Sequence, residues 1–270
     1  MSSIQTKPIV KNKYHSYNLS DLSDGCKQCV LGEKLVIFVT GLCPRQCYFC
    51  PISDQKYGYD VEFANERKIN HPQDIIDEAK SMNAKGCGIT GGDPLVKLDR
   101  TISYIKLLKK EFGSSFHIHL YTSLNLVTTE TLQQLADVGL DEIRFHLDLE
   151  NTTFYHHLTI ARNHPWKIGV EIPCIPTKTK QIKVIAEFIA DKVDFLNLNE
   201  LERADNSQSK LDEMGFTTKD TYSYAVKGSV ETGLEIIDYI QQKQYSYSVH
   251  LCTAKLKDAI QLTTRLKNQG

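Results

Sequence analysis

A surplus of either charge is missing from this chain: 32 basic residues stand against 33 acidic ones, leaving −1 over 270 residues. Nothing global therefore draws it to nucleic acid or to an anionic membrane surface. No apolar run reaches the length needed to span a bilayer; the longest are strand-sized. Low-complexity tracts are absent, and the one recurrence is an alternation of strand-like and helix-like segments. The polar start Met1-Ser-Ser-Ile-Gln-Thr-Lys has no apolar stretch of the secretory kind. Eight cysteines are thus expected to be reduced in a cytoplasmic protein and to serve metal chemistry rather than disulfides. An apolar fraction of 41% suffices for a full core.

After a polar, basic arm over residues 1–20, Leu35–Val39 reads as a first strand. Asn70 to Met82 reads as a helix, with a capping residue, an early proline, early acids and apolar spacing from Ile75. Strands follow at Gly88–Thr90, Phe116–Tyr121, Glu142–Leu147, Trp166–Ile172 and Val193–Asn199. Between them helices are expected from Ile102 to Gly113, over Thr128–Val138, 151–163 and 180–191. Strands separated by helices of this length pair in parallel through right-handed crossovers. Six such units fall short of the closed eightfold barrel. Residues 200–230 break the rhythm and read as an insertion. A helix near 230–243, a short strand Tyr245–His250 and a basic amphipathic helix over 256–267 complete one domain: an arm (1–33), a core (34–200) and a C-terminal part (201–270).

The richest feature is Cys43-Pro-Arg-Gln-Cys47-Tyr-Phe-Cys50, directly after the first strand. Three thiolates in eight residues can hold three irons of a [4Fe–4S] cube and leave the fourth open to a ligand. A zinc site would need a fourth ligand from elsewhere. One strand–helix unit later, Thr90-Gly91-Gly92-Asp93-Pro94 leaves the second strand at the same end, where ligands of parallel α/β folds sit. Its glycines let backbone approach a ligand closely.

Cys-x3-Cys-x2-Cys with an aromatic before the last cysteine resembles the radical S-adenosylmethionine (SAM) superfamily, and Gly-Gly-Asp-Pro resembles its Gly-Gly-Glu-Pro motif. Together with Tyr-Phe-Cys-Pro and the size of the core, the chain looks like the group related to pyruvate formate-lyase activating enzymes. The resemblance covers residues 34 to about 200. It implies an α/β fold with a partial (β/α)6 TIM-type barrel plus N- and C-terminal extensions. It implies a [4Fe–4S] cluster on Cys43, Cys47 and Cys50 that binds SAM and cleaves it reductively to a 5′-deoxyadenosyl radical. Gly91, Gly92 and Asp93 would then meet the SAM amino group, with aspartate replacing the family's glutamate. An electron donor such as a ferredoxin or flavodoxin is implied as partner.

Strand ends supply further cofactor-binding candidates: His146 after the fourth strand, Glu171 in the fifth, Asn199 in the sixth. Tyr48 and Phe49 can pack on the adenine or the cluster, or simply exclude water. Arg45 can pair with a carboxylate or be solvated. A second cysteine group, Cys26-Lys-Gln-Cys29 with Cys252, has half-site spacing for zinc or an auxiliary iron–sulfur cluster, with a histidine to complete it. The five-residue linker from Cys29 to Lys34 (at most ~17 Å) places the pair near the amino end of the barrel. Cys252 reaches that end if the last strand runs antiparallel to the first. The substrate stays open: a partner protein carrying a glycyl radical, RNA (with Lys255, Lys257, Arg265 and Lys267 as a small basic face) or a metabolite. A zinc-stabilised binding module is the non-catalytic alternative.

Overall fold

A computed structural model describes residues 8–269. In chain order the elements are β1 (Val10–Lys11), β2 (Tyr17–Leu19), α1 (Asp24–Val30), β3 (Lys34–Phe38), β4 (Phe63–Ala64) and β5 (Arg67–Lys68). Then come α2 (Pro72–Ser81), β6 (Gly86–Thr90), α3 (Leu98–Phe112), β7 (His117–Ser123), α4 (Thr129–Asp137) and β8 (Glu142–His146). The remainder is α5 (His157–Ala161), β9 (Lys167–Cys174), α6 (Thr179–Phe188), β10 (Phe195–Glu200), α7 (Ser229–Lys243), β11 (Ser248–Cys252) and α8 (Thr263–Gln269), the last preceded by a π-helical stretch Leu256–Leu262.

All strands form one sheet ordered β1-β2-β11-β10-β9-β8-β7-β6-β3-β4-β5. From β3 to β11 the neighbours are parallel, and the antiparallel pieces β2–β1 and β4–β5 finish the two edges. The barrel is therefore open, as expected. It carries one more parallel strand than the six units anticipated, because α7 is itself a crossover helix that returns the chain to the amino end. β11 consequently runs parallel to β10, with Cys252 opposite Asn199. This corrects the antiparallel placement: Cys252 lies at the carboxyl end of its strand.

Alternation along the strands divides the interior from the helical layer. Leu35, Ile37, Ile89, Ile118, Leu120, Ile143, Phe145, Leu196 and Leu198 are fully buried on one parity. They share a single core with helix residues such as Ile75, Ile105, Leu132, Ile185 and Ile236; each contributes about 1.5–3 kcal/mol. The other parity carries Lys34, His119, Glu142, Arg144, Asn197 and His250, buried and polar.

The helices begin and end on local signals. His71 caps α2 and the Asp74 carboxylate accepts from its N–H at 2.9 Å; Thr128 caps α4, accepting from the N–H of Thr131 at 3.2 Å. The helix expected over 151–163 shrinks to α5. Before it, Asp148 Oδ1 takes the N–H groups of Glu150 and Asn151, and Asn151 takes that of Thr153, turns that compete with helix formation. Residues 201–228 form no regular element beyond two isolated bridges. They carry a small apolar cluster of Leu201, Leu211 and Val226 with Ile175, against which Tyr48 and Phe49 pack.

Candidate functional site

Two loops meet above the carboxyl ends of β3 and β6. The Gly92 and Asp93 N–H groups donate to Thr40 O and Leu42 O at 2.7 and 2.8 Å. A Cβ on Gly91 would stand 2.5 Å from Thr40 O, and one on Gly92 2.3 Å from Leu42 O. Glycine is required here because backbone packs on backbone. Among the described residues nothing donates to the Gly91 and Gly92 carbonyls, so these are the acceptors left for a ligand ammonium. The Asp93 carboxylate is already engaged within the chain. It accepts from Thr122 Oγ1 (2.7 Å), Ser123 Oγ (2.7 Å), Ser123 N (3.1 Å) and Leu95 N (3.1 Å). Its role in the structure is to tie the β6 loop to the end of β7.

Behind the cysteine loop, Arg100 donates to Val39 O and grips both oxygens of Asp60, which also accepts from Thr40 Oγ1. Arg100 and Lys97 together hold the Asp60 carboxyl far below its ordinary range. No motif marked this clamp.

Cys43, Cys47 and Cys50 are half-buried free thiols in one loop. The Cys50 N–H closes a turn on Cys47 O at 3.0 Å, and Arg45 N–H points at Cys43 Sγ at 3.4 Å. Burial pushes the Cys43 thiol up to about 11 and raises Cys47 and Cys50 as well. They therefore stay protonated until a metal takes the sulfur. Arg45 takes the paired option: its guanidinium donates to His146 O and Asp148 Oδ2, both at 2.9 Å. Tyr48 and Phe49 stand edge to face at 5.0 Å, and Phe49 lies 5.8 Å from the His146 ring. Tyr48 Oη and His146 Nε2 are buried without a hydrogen-bond partner. Desolvation pulls the His146 imidazole down to about 4, so it is neutral at physiological pH. A cavity of about 260 Å³ adjoins the loop, lined by Arg45, Cys47, Tyr48, Asn125, Asp148 and Asn151.

The insertion braces this loop from the other side. Asn206 Nδ2 donates to Cys50 O and Ile52 O at 2.9 and 2.8 Å, and Lys210 N to Tyr48 O at 2.7 Å.

Deeper in the barrel lies a network that inspection of the sequence found only in part. The buried Arg144 guanidinium binds Glu142 (Nε to Oε1, 2.6 Å), Glu171 (3.0 Å), Tyr121 Oη (2.9 Å) and Ser23 Oγ (3.2 Å). Asn197 and Asn199 each donate to Glu171 at 2.9 Å. Glu171 and Asn199 are thus brought together, but by each other and by Arg144. The alternation Glu142-Ile-Arg144-Phe-His146 was the available signal: polar parity on a strand whose apolar parity meets helices marks the barrel interior.

The Cys26–Cys29 pair lies at the amino end of the barrel, as expected, and reaches into its interior, with Gln28 against Lys34 and Gly86 at the starts of β3 and β6. Gly25 N–H donates to Glu142 Oε2 at 3.3 Å, and a Cβ there would meet Arg144 and His119 at 2.4 and 2.7 Å. The turn through Gly32 (φ +66°) sets α1 across the amino ends of β3, β6 and β8. Burial acts to raise the Cys26 thiol, but Arg144 and His250 outweigh it and bring it down to about 7; burial drives Cys29 up to about 12.

Among the described residues no three or more His, Cys, Asp or Glu side chains are drawn together closely enough to grip a metal ion, at either cysteine group. The upper set nonetheless fits a cluster with one open iron: three undisulfided thiols in one folded loop, free glycine carbonyls beside it, and two orphaned polar atoms facing no protein partner.

The basic face proposed on the terminal helix is reduced, because Lys257 pairs with Glu202 and Arg265 donates to Asn65 Oδ1 at 3.2 Å. No helix among the described residues is long and apolar enough to cross a membrane.

Similarity to known proteins agrees with this geometry. The profile of the Radical SAM superfamily matches residues 37–172. A Methanocaldococcus jannaschii protein, named provisionally as a glycyl-radical enzyme activating enzyme, is 42% identical over 267 residues, 96% of this chain and 70% of its own. Biotin synthase of Shewanella denitrificans is 30% identical over 121 residues, 43% of this chain and 32% of its own. The crystal structure of methylornithine synthase superposes with a TM-score of 0.51 at 12% identity, covering 87% of this chain and 79% of that one. The chain belongs to the radical SAM superfamily, and so is an enzyme that uses a [4Fe–4S] cluster and SAM.

Proposed function

We propose that this enzyme activates a partner protein by taking a hydrogen atom from a glycine of its backbone. The observation that carries this reading is the relatedness, over 96% of this chain and 70% of the other, to a protein named provisionally for glycyl-radical enzyme activation. In this proposal Cys43, Cys47 and Cys50 hold the cluster and the Gly91 and Gly92 carbonyls accept from the SAM ammonium. When bound, the cluster and SAM supply a one-electron reduction of a sulfonium and a carbon-centred radical able to take a hydrogen atom. Asp93, through Thr122 and Ser123, keeps the glycine loop in register. Neutral His146 offers one nitrogen near the cysteine loop, and Tyr48 and Phe49 keep water out. The partner's glycine segment would enter through the cavity beside Arg45 and Asp148, whose polar lining suits a backbone with alternating donors and acceptors. A low-potential electron carrier of the ferredoxin or flavodoxin type supplies the electron.

The test is anaerobic: reconstituted enzyme, dithionite, SAM and a co-expressed candidate glycyl-radical protein. The expected result is 5′-deoxyadenosine formed together with a glycyl doublet in the EPR spectrum of the partner. Deoxyadenosine formation coupled instead to a small metabolite, with no protein radical, would overturn the choice of substrate class.

A further inference from the structure

Two of the chain's cysteines, Cys87 and Cys174, are fully buried within the apolar core and behave as small hydrophobes. Cys26, Cys29 and Cys252 have a different environment. Cys26 and Cys29 share one face of α1, a helix capped by Ser23. Cys252 and His250 are alternate residues of β11 and so face the same side. The parallel register sets His250 opposite Asn197, and Cys26 Sγ lies against the Asn197 amide (Nδ2 3.4 Å, Oδ1 3.7 Å) with an Arg144 N–H at 3.6 Å. Cys252 lies opposite Asn199, two residues along β10 from the Asn197 that touches Cys26, and the His250 ring lies against Cys26. The barrel thus gathers three thiols and an imidazole from two segments far apart in sequence.

His250 supplies an independent sign of a missing ligand. Its Nε2 meets Ser16 Oγ at 3.0 Å, and Ser16 is fixed in turn by Asn12 Nδ2 at 2.7 Å. Its Nδ1 is buried and meets no nitrogen or oxygen partner, its one neighbour for hydrogen bonding being the Cys26 thiol. With Nε2–H donated to Ser16, Nδ1 keeps a lone pair, which is how metal-binding histidines are commonly oriented.

We propose that Cys26, Cys29, Cys252 and His250 form a second metal centre, a closed four-ligand site for zinc. Three thiols and one imidazole make a complete tetrahedral set with no position left for substrate. Binding expels three thiol protons, and the Arg144 and Asn197 N–H groups donate towards the Cys26 sulfur. A donor set of three thiols and one imidazole is that of a structural zinc site. Side-chain rotation is needed to close the set, as it is for Cys43, Cys47 and Cys50. The consequence is structural. The ion joins α1 to β11 and so staples the arm to the C-terminal extension. This adds to the packing at Gly32, where a Cβ would meet Arg265 N at 2.8 Å.

The test is independent of SAM chemistry. Full-length protein carrying Cys43→Ala, Cys47→Ala and Cys50→Ala is purified anaerobically from zinc-supplemented cells, and its metals are counted. The expected result is about one zinc per chain, with three sulfurs and one nitrogen around it by X-ray absorption. Cobalt exchange should give thiolate-to-cobalt charge-transfer bands. Adding Cys252→Ala should abolish the zinc, whereas adding Cys87→Ala should not. If Cys252→Ala leaves the protein insoluble, the X-ray absorption shell of the parent variant still decides. Zinc-free protein, a zinc shell without sulfur, a Cys26–Cys29 disulfide, or iron with inorganic sulfide in that variant would each overturn the assignment.

Discussion

Replacing Arg144 by methionine tests whether the barrel interior is held by charge. The guanidinium is 2% exposed, Glu142 is not exposed at all, and Glu171 is 16% exposed. Removing one partner from a buried ionic group leaves uncompensated charge and costs about 3–5 kcal/mol. At about 2 °C per kcal/mol for a chain of this size, the melting temperature of the metal-free protein should fall by about 6–10 °C at pH 7. The pH dependence carries a sign. Burial raises the Glu171 carboxyl, but Arg144 and the two asparagines more than reverse this, leaving it below the ordinary glutamate value of 4.5. In the native protein Glu171 therefore contributes stability that is complete above 4.5 and lost as pH falls through the folded value. Without Arg144, desolvation prevails and the folded value rises above 4.5. The variant then loses stability as pH rises past 4.5 and regains it on acidification. The gap between the two proteins should narrow from pH 7 to pH 5, and Glu171→Gln in the variant background should restore part of the loss at pH 7. Differential scanning fluorimetry at the two pH values measures both. A loss under about 2 °C at pH 7, or an equal loss at both, would refute the reasoning.

Other outcomes follow from single contacts. Gly92→Ala sets a Cβ 2.3 Å from Leu42 O; we expect a loss of about 1–3 kcal/mol and iron retention well below that of the parent, read by colorimetric iron assay. Asp93→Ala strands four donors and should cost about 2–4 kcal/mol while Asp93→Asn costs less, measured by urea unfolding of the metal-free protein. Asn206→Ala removes two hydrogen bonds to the cysteine loop and should speed bleaching of the cluster in air several-fold, followed by visible absorption. With its imidazole pulled down to about 4, His146 is neutral throughout the usual assay range. SAM cleavage should therefore show no His146-dependent inflection between pH 6 and 8, and His146→Gln should leave the shape of that profile unchanged.

What could be read directly from the sequence was whatever depends on local order. The strand–helix rhythm from Lys34 to Glu200 follows from periodicity and caps, and the Cys43–Cys50 loop and Gly91–Gly92 follow from spacing. Long-range outcomes were not legible. Nothing local says that Ser248–Cys252 pairs in parallel with β10, because that depends on where α7 delivers the chain. Nor does Asp24–Val30 reveal that it reaches into the barrel interior, since the reason is the Glu142–Arg144 pair more than a hundred residues away. Glu171 and Asn199 stood out by position as cofactor-binding candidates, and in the structure they bind each other within the Arg144 network. Their partners became apparent only when β8, β9 and β10 were side by side.

The most direct test of the central claim is SAM cleavage by anaerobically reconstituted enzyme reduced with dithionite. The parent protein should yield 5′-deoxyadenosine and a reduced-cluster EPR signal that changes on adding SAM, and Cys47→Ala should lose both. Undiminished cleavage by Cys47→Ala, or a parent cluster whose spectrum is indifferent to SAM, would contradict it.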